Sequence, residues 1–322
     1  MQMKIRRVFF KTTGVIFFLI FGIPFFMGMT HSKHNPKGPY NNSKEILCNG
    51  VHVHYRHWVP DSVSKKTWCL LIHGFSGSTY TWRYTVHALT RAGYHVVAVD
   101  IPPYGYSDRN PKLNSSFSAR ADLLHSFMKT FSDTIRWHVV GHSMGGGIAQ
   151  ALGILYPENI VSVTFAAGAL FSKLEEATTL VPFYMRLAPL ERFLAVVGEE
   201  FFITPKRVHR LLASAYGQEP EPADSEMYLK ALQISGTSLA IVKSMTRSRE
   251  TKTFEASQME LPALAIWGDQ DTWVPLGFSK KALDEMPFVH LELIENSAHC
   301  PMETHPDIFN QILIRFLNKQ GE

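Results

Sequence analysis

WHVVGHSMGGG, residues 137–147, moves from an apolar run into Ser143, with Gly141 and Gly145 two positions away on either side. From Gly147 to Tyr156 the large apolar residues then recur at helical spacing. The pattern reads as strand, sharp turn, helix, with Ser143 on the turn. Such a turn forces the serine into a strained backbone conformation where neighbouring Cβ atoms would collide, which explains glycine on both sides. The strain would hold Oγ above the sheet edge, within reach of a histidine and a substrate. A Gly-x-Ser-x-Gly also fits a plain loop, so the surrounding chain has to settle the matter.

Upstream, alternation over Val51–Trp58 marks a half-buried strand, and Asn49-Gly50 predicts a hairpin pairing it with 43–48. The histidines at 52, 54 and 57 have no supporting carboxylate spacing and are not read as a metal site. Residues 68–72 and 95–100 are continuous apolar runs, as expected for strands buried on both faces, with a helix over 80–92 between them. The same alternation continues with a helix near 118–131, a strand at 135–140 leading to Ser143, and a strand at 160–166. It resumes after 255 with strands at 264–268 and 290–294 and helices at 276–286 and 306–317. Strict alternation predicts an α/β fold with a mostly parallel, doubly wound sheet. The core is assigned to residues 43–168 and 256–322. Residues 169–255 read as several helices, too long for a loop, and are expected to form a helical cap over the carboxyl edge of the sheet.

The chain has 322 residues, 45% hydrophobic and 19% charged, which suits a globular protein with a large core. A net charge of +4 is too small and scattered for a nucleic-acid surface. Six basic residues and no acid lie in residues 1–37, which leaves the remainder about two units negative. Cys48, Cys69 and Cys300 are too few and too far apart for a disulfide framework or zinc site. At the amino terminus, four basic residues precede nineteen uncharged ones from Thr12 to Thr30. Their length approaches the roughly 30 Å of a bilayer core at about 1.5 Å per residue. Residues 1–30 are therefore expected to be a single-pass signal-anchor, with 31–42 a tether and the remaining domain on the non-cytoplasmic side of the membrane. The alternative is a cleaved signal peptide and a secreted or periplasmic product, although no Ala-x-Ala-like site stands out.

A serine hydroxyl needs a base, and the base needs an orienting carboxylate. WGDQDTWVP, residues 267–275, follows an apolar strand and offers Asp269 and Asp271. Asp271 lies further along the loop and is better placed to reach an imidazole, while Asp269 sits at the Gly268 turn. The base is expected at His299, in ENSAHCPME after the next strand; His305 is a rival, but Pro306 beside it suggests a helix start.

Taken together, His73-Gly74, Asp100, the motif around Ser143, residues 268–275 and His299-x-Pro-x-Glu303 make residues 45–320 resemble the α/β-hydrolase family, in which the triad follows the order Ser, Asp, His. That resemblance implies a nucleophile at Ser143, with Asp271 and His299 completing the triad. It also implies an oxyanion hole from the backbone N–H groups of Phe75 and Met144. No metal or organic cofactor is implied. Two departures stand out: Asn296-Ser297 occupies a place where glycine is frequent, and Cys300 follows the histidine directly. Epoxide hydrolases and dehalogenases of this fold use aspartate as nucleophile, which Ser143 argues against. The resemblance leans towards monoacylglycerol lipases, lysophospholipases and lipolytic esterases. A small-molecule ester or lipid would then be the substrate and the membrane a partner. Carbon–carbon hydrolases, perhydrolases, peptidases and acyltransferases share the acyl-enzyme chemistry, and a membrane-tethered binding protein without turnover is the alternative from another class.

Overall fold

The computed structural model describes Gly22 and residues 38–61, 67–175 and 182–320. An antiparallel hairpin opens the core: β1 (Ser43–Cys48) and β2 (Val51–Trp58) are joined at Asn49-Gly50, with φ of 52° and 77°. Positive φ at both central residues gives the two-residue turn whose twist matches its strands. β3 (Thr67–Ile72), α1 (Arg83–Arg91), β4 (His95–Val99), α2 (Phe117–Lys129), β5 (Arg136–His142), α3 (Met144–Leu155) and β6 (Ile160–Ala166) then alternate. An insertion follows, with β7 (Lys173–Leu174), α4 (Ala188–Val197), α5 (Pro205–Tyr216), α6 (Pro222–Leu232), α7 (Thr237–Arg247) and β8 (Phe254–Glu255). The chain closes with β9 (Ala263–Gly268), α8 (Leu276–Glu285), β10 (Val289–Ile294), a short α9 (Pro301–Thr304) and α10 (Pro306–Gln320).

The main sheet has the order β1-β2-β4-β3-β5-β6-β9-β10, parallel from β4 to β10 and antiparallel at the β1–β2 and β2–β4 pairs. Both faces are buried. Leu70 and Ile72 of β3 pack into one core with Val97, Val139 and Val163, while Cys69 and Leu71 enter a second with Val96, Val140 and Ile266. The continuous apolar runs of the sequence reflect this two-sided burial. From β3 the chain steps to β4 on one side and then returns to β5 on the other. The order of strands therefore reverses between β3 and β5, and the crevice at such a reversal is where open α/β sheets hold ligands.

The insertion is not wholly helical. β7 and β8 form a two-stranded antiparallel pair at its base, through Lys173↔Glu255 and Leu174↔Phe254. Strands of two residues carry no usable periodicity, so the sequence pattern misses them.

One amino-terminal expectation changes. The expected single-pass anchor is not supported: among the described residues no helix is long and apolar enough to cross a membrane. Apart from Gly22, residues 1–37, on which that expectation rested, lie outside the described residues. In the sequence itself, Pro24 leaves only residues 12–23 uninterrupted, about 18 Å of helix against the roughly 30 Å of a bilayer core. The tether expected over 31–42 is described only from Gly38, and there it touches β2. The Arg56 guanidinium lies 3.8 Å over the Tyr40 ring, and its Nε donates to Asn42 Oδ1 at 2.8 Å.

Candidate active site

Ser143 stands between β5 and α3 with φ 52° and ψ −118°, a conformation that costs on the order of 1–3 kcal/mol in a non-glycine residue. Hydrogen bonds hold it there. Ser143 N–H donates to Ala166 O at 3.0 Å, while Ser143 O accepts from Gly146 N and Ala169 N, both at 2.9 Å. The flanking glycines are required by space. A Cβ on Gly141 would stand 2.1 Å from Gly145 O, and one on Gly145 would stand 2.4 Å from Ile72 O. Positive φ also occurs at Ser76, Ala167 and Asn296, in the loops after β3, β6 and β10, so backbone strain gathers at the same sheet edge. Asn296 occupies a position where the resemblance predicts glycine, and it adopts a left-handed conformation that asparagine tolerates better than most residues.

The loops after β9 and β10 bring Asp271 and His299 together. His299 Nδ1 lies 2.8 Å from Asp271 Oδ2; because a carboxylate only accepts, Nδ1 carries the proton and Nε2 is the free, basic nitrogen. Asp271 Oδ1 accepts from the backbone N–H groups of Trp273 and Val274 at 2.8 and 3.0 Å. Both side chains are buried, whereas Asp269 is exposed and its backbone N–H donates to Ile294 O at 3.2 Å. The two loops touch so closely that a Cβ on Gly268 would stand 2.2 Å from Ser297 O. The Trp273 indole stacks on the His299 ring at 5.8 Å and 17°. His305 bonds Thr304 Oγ1 at 2.9 Å between α9 and α10 and is not among the residues that line the cavity around Ser143.

Ser143 and His299 open into one cavity of about 270 Å³. Phe75, His142, Trp273 and Cys300 line it from the core, and Val208, Leu211, Leu212, Ala215, Tyr228 and Leu232 line it from α5 and α6. Neither Ser143 Oγ nor His299 Nε2 is engaged in another hydrogen bond among the described residues. Phe75 stands at the mouth, half-exposed, with its ring against Tyr104 at 5.3 Å. Met144 begins α3, and the first N–H groups of a helix have no partner within it. Both candidate oxyanion donors therefore border the cavity or the turn that carries Ser143. His142, which the sequence did not single out, donates Nε2–H to His299 O at 3.0 Å. Burial, helped by the nearby His299 ring, pushes its pKa well below the usual value. It stays neutral and supports the backbone of His299 without competing for a proton. The Cys300 thiol, also in the wall, is pushed well up by burial and is not a ready nucleophile.

A family profile described as alpha/beta hydrolase fold matches residues 68–306. The chain belongs to the α/β-hydrolase family. Among its relatives is the Bacillus subtilis protein named uncharacterized hydrolase YugF, 24% identical over 85% of this chain and 97% of that one. A 2-hydroxy-6-oxononadienedioate/2-hydroxy-6-oxononatrienedioate hydrolase of Paraburkholderia phymatum is 27% identical over 84% of this chain and 92% of its own. Among solved structures, a bacterial membrane phospholipase A aligns with a TM-score of 0.68 at 20% identity, covering 99% of this chain and 97% of its own. A probable hydrolytic enzyme of Pseudomonas aeruginosa aligns with a TM-score of 0.70 at 19% identity over 85% of this chain and 93% of its own. At these identities the structural likenesses speak for the fold, and the choice of reaction rests on the site.

Proposed function

We propose that this α/β hydrolase cleaves an uncharged carboxylic ester bond, in a lipid-derived ester such as a monoacylglycerol or lysophospholipid, through an acyl-enzyme on Ser143. The reading rests on one observation. Among the described residues, the cavity that holds Ser143 and His299 is walled by apolar and neutral polar side chains, with no arginine or lysine. A dioate of the kind named for the Paraburkholderia relative carries two carboxylates, and burying one without a cation is costly. An acyl chain meets no such cost. At roughly 30 Å³ per water-sized group, a cavity of about 270 Å³ takes about nine heavy atoms, a medium-length chain.

In this mechanism Ser143 Oγ attacks the ester carbonyl as His299 Nε2 takes its proton, and Asp271 holds the imidazolium. The backbone N–H groups of Phe75 and Met144 receive the oxyanion; one such donor contributes on the order of 10²–10³ in kcat. His299 then passes the proton to the departing alkoxide, and water cleaves the acyl-enzyme by the reverse proton path. The test uses the full-length protein with a fluorophosphonate probe and a p-nitrophenyl ester series of increasing chain length. Covalent labelling that Ser143→Ala abolishes, with best turnover at medium chains, is the expected result. Labelling that survives Ser143→Ala, or faster turnover of a 2-hydroxy-6-oxo-dienedioate than of any ester, overturns the reading.

A further inference from the structure

The carboxyl end of α5 meets the catalytic loops at three consecutive residues. Trp273 Nε1 donates to Ser214 Oγ at 3.1 Å, His299 N–H donates to Ala215 O at 2.9 Å, and Tyr216 OH donates to Glu303 at 2.7 Å. One turn of an inserted helix thus holds the loop of Asp271, the backbone of His299 and the start of α9. Glu303 is the core end of this arrangement. Its buried carboxylate lies four residues after His299, accepts a second tyrosine hydroxyl from Tyr228 at 2.7 Å, and pairs with Arg83. Arg83 reaches in turn to Asp224 of α6 at 2.7 Å. Burial pushes the Glu303 carboxyl above the usual carboxylate range, against the downward pull of Arg83 and the tyrosines. Such a group holds its place only if its donors hold theirs.

We propose that Tyr216 and Glu303 are positioning residues for His299: the end of α5, clasped to α9 through the Glu303 carboxylate, fixes the imidazole against Asp271. The inserted helices are then part of the catalytic framework as well as a cover for the cavity. This inference rests on the reading of Ser143 and His299 as nucleophile and base. Tyr216→Phe removes one hydroxyl and keeps the ring, so it breaks the clasp with little change of volume. Loss of this hydrogen bond to a charged acceptor leaves the imidazole less well held, and displacements of this kind have large effects on rate.

Three readouts test it. The kcat of Tyr216→Phe and of Glu303→Gln should fall at least tenfold, with KM changed less than twofold. In Tyr216→Phe the downfield NMR resonance of the His299 Nδ1 proton should shift or broaden. His209→Ala, on the outer side of the same helix, cuts bonds to Ser225 and Glu219 and should leave both readouts as in the wild type. If folded Tyr216→Phe keeps kcat within twofold and the wild-type resonance, the clasp does not position the base. If Glu303→Gln fails to fold, Tyr216→Phe still decides. A wild-type protein without ester turnover would refute the proposed reaction alone, because the resonance reports on the clasp independently.

Discussion

Replacing Asp271 by asparagine should inactivate the enzyme through the tautomer of His299, with the fold kept. In the structure Oδ1 accepts two backbone N–H groups, from Trp273 and Val274, and Oδ2 accepts His299 Nδ1–H. An asparagine has one oxygen and one NH2. Turning the NH2 towards the backbone would leave two buried donors without an acceptor, at about 1–3 kcal/mol each. The oxygen therefore stays with Trp273 and Val274, and the NH2 faces the ring. His299 Nδ1 must then accept, which puts the ring proton on Nε2, the nitrogen that takes the Ser143 proton in the proposed mechanism. Such a tautomer change costs about 10⁴ in kcat in a serine triad, or about 5.4 kcal/mol at 1.36 kcal/mol per decade. Ester turnover and fluorophosphonate labelling rate would both show the loss. Thermal unfolding should move little, because the backbone bonds remain. Asp269→Asn, exposed in the same loop, should keep wild-type activity. More than a tenth of the activity in Asp271→Asn, or an inactive Asp269→Asn, would refute this account.

Two further outcomes concern stability. A Cβ at Gly145 would meet Ile72 O and His73 O at 2.4 and 2.6 Å, both backbone atoms that cannot yield cheaply, so Gly145→Ala should destabilise by about 3 kcal/mol or more. Gly277→Ala in α8 meets nothing within 4 Å and should be neutral or stabilising by up to about 1 kcal/mol; equal melting temperatures for the two variants would contradict the packing argument. His57 is lowered to about 4 by burial, with Lys44 and His95 adding repulsion. The unfolded chain therefore takes up a proton that the native state resists, and stability falls as pH drops from about 6.5 towards 4. Urea midpoints from pH 7 to 5 should show this slope in the wild type and a shallower one in His57→Asn; identical slopes would remove His57 as the cause.

The parts of the fold that the sequence displays are those where burial and backbone chemistry act locally. β3, β4 and β6 are legible because both faces of the sheet are covered, so their runs are mostly apolar. The hairpin is legible because Asn49-Gly50 admits only a few turn types. Ser143, Asp271 and His299 could be placed because each sits in the loop after an apolar strand, and parallel strands deliver such loops to one edge. Contacts made between distant segments left no local trace. Nothing near Tyr216 announces that its hydroxyl meets Glu303, 87 positions later. The β7–β8 pair is too short to show a period. His142 reads as part of the serine motif, and only the fold reveals that it supports the His299 carbonyl.

The chain contains a second Ser–His–Asp set, and comparing the two clarifies what the first has to offer. His54 Nδ1 lies 2.7 Å from Asp100 Oδ2 and His54 Nε2 lies 2.9 Å from Ser43 Oγ, distances suited to a charge-supported base and its serine. Yet the serine and histidine there are already engaged. Asp100 also accepts from the backbone of Thr79 and Tyr106, at 2.6 and 2.7 Å, and Ser43 Oγ accepts from Tyr40 N–H at 3.3 Å. Gly38 covers the pair so closely that a Cβ on it would stand 2.4 Å from His54 Nε2 and 2.6 Å from Ser43 Oγ. So close a cover leaves no room for a carbonyl between them, and Ser43 itself lies in β1. Burial would raise the Asp100 carboxyl, but His54 and the backbone donors hold it below the usual range, so this set ties the amino-terminal strands to the loop after β4. Around Ser143 the carboxylate is just as engaged, since Asp271 also accepts two backbone N–H groups, and the difference lies in the serine and the histidine. The backbone is strained outward, Oγ and His299 Nε2 have no other partner among the described residues, and both open into the same cavity. Catalytic capacity in this fold therefore depends on bonds withheld as much as on the residues present.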